Sequence, residues 1–297
     1  MKISTKLSLS TYSGLFSLAA ILALPTFVQA EEISTSAALV RADEVLAMPT
    51  AEDENAVKQK FDLAVSEFAK RNVKDPTPIN KAIEVLSSIE GKSVDPDMNY
   101  DILILESRAY YWRGTHLTDR SMIMAAHEEG QKKADAAKDI SEDYAEAYYF
   151  GGINLARWAK ANGVFPSLSK RPLLEDYYMK NARLHPTRSG DDGFTVDGYG
   201  PNRVLGKLYY ELPRVFGGDL KKSLTYLEEA YTNAKSVALN AVYYAETLNG
   251  LGENKKALGV LNDLLENSPE NYNPNRTPET LDDFQAAEDL KKKISHS

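Results

Sequence analysis

The stretch Ala238–Pro269, ALNAVYYAETLNGLGENKKALGVLNDLLENSP, decides the fold. Two helix-length runs flank Leu251-Gly252, a pair suited to a tight reversal because glycine accepts the left-handed backbone that other residues resist. Ala245 stands in the first run and Ala257 in the second, and Pro269 ends the unit. Two antiparallel helices approach closely only where tiny side chains stand at the crossing, so these alanines predict a helical hairpin. The preceding stretch repeats the plan. Gly218 and Gly252 are 34 residues apart, as are Ser223 and Ala257, and Ala230 matches Leu264 in the closing turn. Its first helix, Pro201 to Leu212, carries Leu205-Gly206 and Tyr209 at matching positions. The connector Pro213 to Gly217 is about five residues longer than the usual repeat turn.

A period of 34 residues is the tetratricopeptide length. Upstream units are looser. Tyr148 to Ala161 reads as a first helix with Gly152 at its crossing point. Leu173 to Leu184 is its partner, with Asn162 to Arg171 inserted between them. Before that, Ile102–Trp112 pairs with Met122–Ala137, and Lys81–Ile89 is the second helix of a still earlier pair. Ala56-Val57, Phe61, Ala64-Val65 and Phe68 recur at three- and four-residue steps, the spacing of one helix face. Asp75-Pro76, Asp95-Pro96, His185-Pro186 and Ser268-Pro269 punctuate the chain where proline blocks helix continuation. No period-two alternation bounded by hairpin signals occurs. The expected fold is all-α: a TPR-like α-solenoid of about five or six antiparallel helix pairs. An N-terminal helical region covers 31–96 and a helical-repeat domain 97–297, with the best repeats at 201–235 and 238–269. The expected helix-crossing positions are Gly152, Gly206, Ala245 and Ala257.

Five tyrosine doublets mark this array: Tyr110-Tyr111, Tyr148-Tyr149, Tyr177-Tyr178, Tyr209-Tyr210 and Tyr243-Tyr244. Adjacent helical residues point about 100° apart, so one ring of each pair can enter the helix–helix core while the other faces away. Both rings can serve as packing. Outward rings gathered on one concave surface would make an aromatic binding face.

The first thirty residues read as an address. Lys2 and Lys6 precede the apolar run Leu15–Val28, and Val28-Gln29-Ala30 supplies small residues at the positions a signal peptidase reads. Cleavage is expected between Ala30 and Glu31. Pro25 interrupts an apolar run shorter than the ~20 residues needed to span a bilayer, which weighs against a membrane anchor. The chain has no cysteine to acylate, so the expected product is periplasmic, not a lipoprotein, and without a membrane span. The absence of cysteine also removes disulfide scaffolds, thiol catalysis and thiolate zinc sites. The 35 basic residues against 43 acidic ones give a formal charge of −8. A chain this acidic repels phosphate backbones, which argues against nucleic-acid binding.

Candidate chemistry concentrates between His185 and Arg203. Asp191, Asp192 and Asp197 lie among glycines, a composition calcium can use, but the spacing is not that of an EF-hand loop and no glutamate closes it. Arg203 near the start of a helix gains nothing from the helix dipole, so it is expected to pair with Asp197 or a neighbour, or to meet an anionic ligand. Gly217-Gly218-Asp219-Leu220-Lys221-Lys222-Ser223 lacks phosphate-loop spacing and follows a helix instead of a strand. His116, His127, His185 and His296 show no zinc-ligand spacing, and no G-x-S-x-G elbow occurs. These readings predict no catalytic residue, no metal and no cofactor, and therefore no enzyme.

The run Asp197-Gly198-Tyr199-Gly200-Pro201-Asn202-Arg203-Val204-Leu205-Gly206-Lys207-Leu208-Tyr209, followed by Leu212-Pro213 and Gly217-Gly218-Asp219, resembles the signature segment of the TRAP transporter T-component family. The likeness spans roughly 144–266. It implies a periplasmic helical-repeat protein, homotrimeric, with an internal cavity or channel, working beside the solute-binding subunit of a tripartite carboxylate transporter. Family members are often lipoproteins, and 31–96 has no match. Two functions are carried forward. One is a scaffold whose concave face holds a protein partner, with the transporter-accessory role as one version. The other is a carrier of a hydrophobic anion, using a tyrosine-lined cavity with Arg203 or Arg214 near its mouth. Asp197, Arg203, Tyr209 and Arg214 are the residues on which ligand or partner recognition would rest.

Overall fold

Prolines and side-chain caps set many of the helix starts. The computed structural model describes residues 51–296. The expected leader 1–30, its cleavage between Ala30 and Glu31, and the first part of the N-terminal region lie outside the described residues. Helix α1 spans Ala51–Ala69, and α2, Thr77–Ile89, carries Pro78 in its first turn, where a missing N–H costs nothing. Ile79, Ala82, Ile83, Leu86 and Ile89 of α2 meet Val57, Ala64 and Phe68 of α1 in one core. In α3, Pro96–Thr115, the Asp95 carboxylate accepts the Asp97 N–H at 3.0 Å. Ile102 and Leu105 of α3 join that first core, whereas Leu103 and Ile104 join a second one with α5. Cover on more than one side explains why Ile102-Leu103-Ile104-Leu105 is continuously apolar instead of striped.

Helix α4, Arg120–Ile140, starts on Asp119, which accepts the Met122 N–H at 2.9 Å. Helix α5 follows at Ala145–Asn162. Short connections make α3, α4 and α5 successive antiparallel neighbours. Their close approach depends on small residues of α4: a Cβ on Gly130 would lie 2.5 Å from Asn154.

The next stretch departs from the expected regular helix over Leu173–Leu184. It is broken into α6, Val164–Ser167, a 3-10 turn at Leu168–Lys170, α7, Arg171–Glu175, a π-helical turn at Asp176–Asn181, and α8, Ala182–Leu184. The widened turn buries both Tyr177 and Tyr178. Tyr178 lies against Gly152, where a Cβ would come 2.6 Å from its hydroxyl. A regular α-turn would direct adjacent side chains about 100° apart and separate those rings.

Helices α9, Gly200–Glu211, and α10, Leu220–Asn233, form the next pair, with α10 capped by Asp219 on the N–H groups of Lys221 and Lys222. Helices α11, Ala238–Gly250, and α12, Asn254–Leu265, reverse at Gly252, whose φ is +79°. The crossing geometry is as close as small side chains allow. A Cβ on Gly206 would sit 2.4 Å from Leu227, and Ala245 and Ala257 are fully buried. A final helix beyond the repeat, α13 at Thr277–Ser295, packs on both α11 and α12. All the regular elements among the described residues are helical, and no helix there is long and apolar enough to cross a membrane.

The array also closes on itself. Arg71, just past α1, forms a two-pronged ion pair with Glu279 of α13 at 2.9 and 2.7 Å. His116, just past α3, reaches Asp282 of α13 at 3.1 Å. An open row of helices would not bring residues 208 apart in sequence into contact.

Candidate ligand cavity

The closed array surrounds a cavity of about 540 Å³. Its wall is made by the first helix of each pair and by the final helix. Phe68 comes from α1, Tyr111 from α3, Phe150 from α5, Val204 from α9, Tyr243 from α11 and Asp283 from α13. Positions Val204, Lys207, Leu208 and Glu211 line it at three- and four-residue steps, the signature of one helix face turned inward. The lining residues include none from α2, α4, α10 or α12, which form the outer layer. The broken segment also reaches the wall, placing Leu168, Arg171, Leu174 and Tyr178 there.

Four of the five tyrosine doublets give the cavity one ring each: Tyr111, Tyr149, Tyr178 and Tyr243. The other rings pack elsewhere, Tyr148 stacked on His185 at 4.9 Å and Tyr244 on Tyr231 at 5.1 Å. The fifth doublet breaks the pattern. Tyr209 lies away from the cavity, stacked on Tyr226 at 5.9 Å with its hydroxyl donating to Glu175 at 3.2 Å. Helix α9 instead turns Lys207 and Leu208 inward.

Arg203 is buried and engaged at both terminal nitrogens. It meets Asp197 Oδ2 at 2.5 Å, Asn240 Oδ1 at 2.9 Å and the Tyr149 hydroxyl at 3.0 Å, and it reaches the carbonyls of Asp197 and Gly198. Tyr149 donates in turn to Asp197 at 2.8 Å, and Arg276 pairs with the other carboxylate oxygen. Burial alone would raise the pKa of Asp197, but Arg276, Arg203 and the Tyr149 hydrogen bond outweigh it and bring the carboxyl down to about 2. The backbone here is unusual. Asp197, Gly198 and Tyr199 all have positive φ (52°, 62° and 58°), which aims two successive carbonyls at the guanidinium before α9 begins. Gly198 is needed at this turn, since a Cβ would press on Val237 at 2.5 Å. Arg203 is therefore a structural clamp. Arg214 lies on an exposed 3-10 turn outside the lining, because Arg171 fills the inner side of that connector and donates to the Phe216 carbonyl at 2.5 Å. The expected pair near the mouth, Arg203 or Arg214, thus gives way to other cations.

Those cations are Arg108 and Arg157. The Arg108 guanidinium lies over two phenyl rings, 5.1 Å from Phe68 and 5.3 Å from Phe150, and among the described residues it has no ion-pair partner. Burial lowers its pKa, yet a guanidinium titrates so high that it stays charged. Arg157 donates to the Tyr111 hydroxyl at 3.3 Å and lies over that ring at 5.7 Å, again with no carboxylate partner among the described residues. Most acids of the cavity are already used: Glu279 by Arg71, Asp282 by His116, Asp197 by Arg203 and Arg276. Asp283 is the exception. It is 6% exposed, its Oδ2 is buried with no hydrogen-bond partner, and burial pushes its pKa up to about 7 against the pull of Arg276 and Arg203.

The spacing of the tyrosines could have pointed to the free cations. Arg108 is one turn before Tyr111 and Arg157 two turns after Tyr149 or Phe150, so each shares an inward face with an aromatic ring. No local signal marks Arg71, Arg276 or Asp283, which reach the wall only through the closure of the array. Among the described residues, no group of three or more His, Asp or Glu side chains could hold a metal ion. No protein-family model matches the chain, and no curated protein matches it.

Proposed function

We propose that the protein is an exported periplasmic carrier that binds a small organic molecule with an anionic group in the cavity between its inner helices. The observation that carries this reading is Arg108: a charged guanidinium set between Phe68 and Phe150 on the wall of an aromatic cavity, with no acidic partner among the described residues. Arg108 is only partly covered by the protein, and a charge on an aromatic wall with no close ion-pair partner is a ready site for an incoming anion. The cavity volume falls in the range of small-molecule sites, about 300–1,000 Å³. We read the protein as a binder and not an enzyme; the one histidine on the wall, His116, has its two ring nitrogens against Asp282 and the Trp112 carbonyl.

The test is calorimetric titration of 2-naphthoate, a flat hydrophobic anion, into the wild-type protein and Arg108→Gln. Saturable binding at one site that weakens about tenfold or more in the variant, with an unchanged melting temperature, supports the carrier. Equal binding by both proteins removes it.

The TPR-like solenoid, curled until its ends meet, is part of the same reading. So is the TRAP-accessory role beside a periplasmic solute-binding protein: the segment that resembles the T-component signature supplies Asp197 and Arg203, which build one wall. A scaffold for a protein partner is the second reading. It is favoured by Phe165 and Val215, 70% and 85% exposed, with Phe165 packed edge-on to Phe216 at 5.3 Å. Substituting both by serine should abolish capture of a stoichiometric partner from periplasmic extract if that surface docks one, and homotrimerisation should show in native mass.

A further inference from the structure

We infer that the molecule held in this cavity is a zwitterion with an apolar body, its carboxylate on Arg108 and its ammonium on Asp283. The inference rests on the carrier reading above and narrows its ligand. Arg108, on α3, and Asp283, on α13, line the same cavity, and no ion pair joins them. Around them most of the acids have partners inside the protein. Arg71 holds Glu279, Lys160 and Lys207 hold Glu211, Asp197 is shared by Arg203 and Arg276, and Asp282 meets His116 in a hydrogen bond. What this pairing leaves over is a positive pole at Arg108, with Arg157 as a second donor on the same wall, and a negative pole at Asp283.

Each pole has its own demand. Asp283 presents a carboxylate oxygen that is buried and accepts no hydrogen bond, a group that costs free energy until a donor reaches it. An ammonium supplies both that donor and the opposite charge. A simple anion on Arg108 would leave this oxygen unmet. A simple cation on Asp283 would leave Arg108 without an anion. Tyr111, Trp112 and Phe150, also on the wall, offer faces to the apolar part of the ligand. The raised pKa of Asp283 is consistent with this arrangement, since a ligand cation would restore the ionised form.

The test compares matched probes by calorimetry at a pH of about 8, where the amines and carboxylates of the probes are charged. Two zwitterions of different charge separation, phenylalanine and 4-(aminomethyl)benzoate, are set against 3-phenylpropionate, phenethylamine, 4-methylbenzoate and 4-methylbenzylamine. The expected result is that at least one zwitterion binds wild-type protein about tenfold or more tightly than both of its singly charged analogues. That preference should shrink to about twofold in Asp283→Asn and in Arg108→Gln. If the anions bind as tightly as both zwitterions, the zwitterion assignment fails while the carrier reading stands. If none of the probes binds, both fail. The comparison within wild-type protein needs no variant, so a poorly folding substitution cannot obscure it.

Discussion

The pair α11 and α12 and the broken segment from Gly163 to Tyr199 are built on opposite principles. The pair is regular: a positive-φ glycine at the turn, buried alanines at the crossing, and a core of Val242, Leu248, Leu261 and Leu264 around them. Its contribution to the cavity is slight, limited to Leu239 and Tyr243. The broken segment abandons helical regularity for a π-helical turn and three successive left-handed residues, and it supplies Arg171, Tyr178 and Asp197 to the wall. Regularity holds the molecule together, and departures from it shape the chamber. Backbone of the second kind persists only where its surroundings over-determine it, here through the Asp197–Arg203–Tyr149 network.

Four experiments would break or sharpen this contrast, the largest effect first. Asp197→Ala leaves Arg203 buried with no carboxylate partner, and should cost about 3–5 kcal/mol in urea unfolding. A loss near zero would mean that the clamp does not hold the irregular turn. Asp283→Asn addresses the same chamber through pH. In the native protein the Asp283 carboxyl keeps its proton up to about pH 7, whereas its ordinary value is 3.8, so the folded state binds more protons between those limits. Wild-type stability should therefore fall as pH rises from about 4 to about 7 and level off above, by up to roughly 4 kcal/mol.

Asp283→Asn should lack that contribution, whereas the falls from Glu106 and Glu146, whose carboxyls burial also raises, stay in both proteins. The opposite slope from His127, whose buried ring is lowered to about 4 from 6.5, stays in both proteins and cancels in the difference. A difference curve that stays flat across this window would refute the assignment. On the regular side, Ala257→Leu should overpack the α11–α12 crossing and lower stability by about 1–3 kcal/mol, read from thermal melts. The control is Glu253→Ala at the neighbouring turn. There a partly exposed carboxylate holds Lys256 in a surface pair, and the change should be less than about 0.5 kcal/mol. Equal effects at 253 and 257 would disprove the register of the pair.

What the sequence revealed follows the same division. The 34-residue spacing, the Gly252 reversal and the small residues Gly206, Ala245 and Ala257 all report contacts between neighbouring helices. Such contacts leave a local period, so they could be read. The pairing of Asp197 with Arg203 is six residues long and was legible for the same reason. The tyrosine doublets were visible as a pattern, but which ring turns inward depends on the placement of whole helices. The expected helix over Leu173–Leu184 missed the π-helical turn because no residue there forbids a regular helix; packing of Tyr178 on Gly152 accompanies the change. Helix α13 lies past the last repeat and shares no period with it. Its Glu279, Asp282 and Asp283 therefore carried no signal of their meeting with Arg71, His116 and the cavity.

The two closing contacts also say something about assembly order. Arg71 and Glu279 stand 208 residues apart, so joining them early would sacrifice the freedom of nearly the entire intervening chain for a single ion pair. The economical route zips up neighbouring hairpins first and docks the last helix at the end. Until that helix arrives the inner helices border only a groove, so the cavity with its full wall is the last feature expected to form as this chain folds.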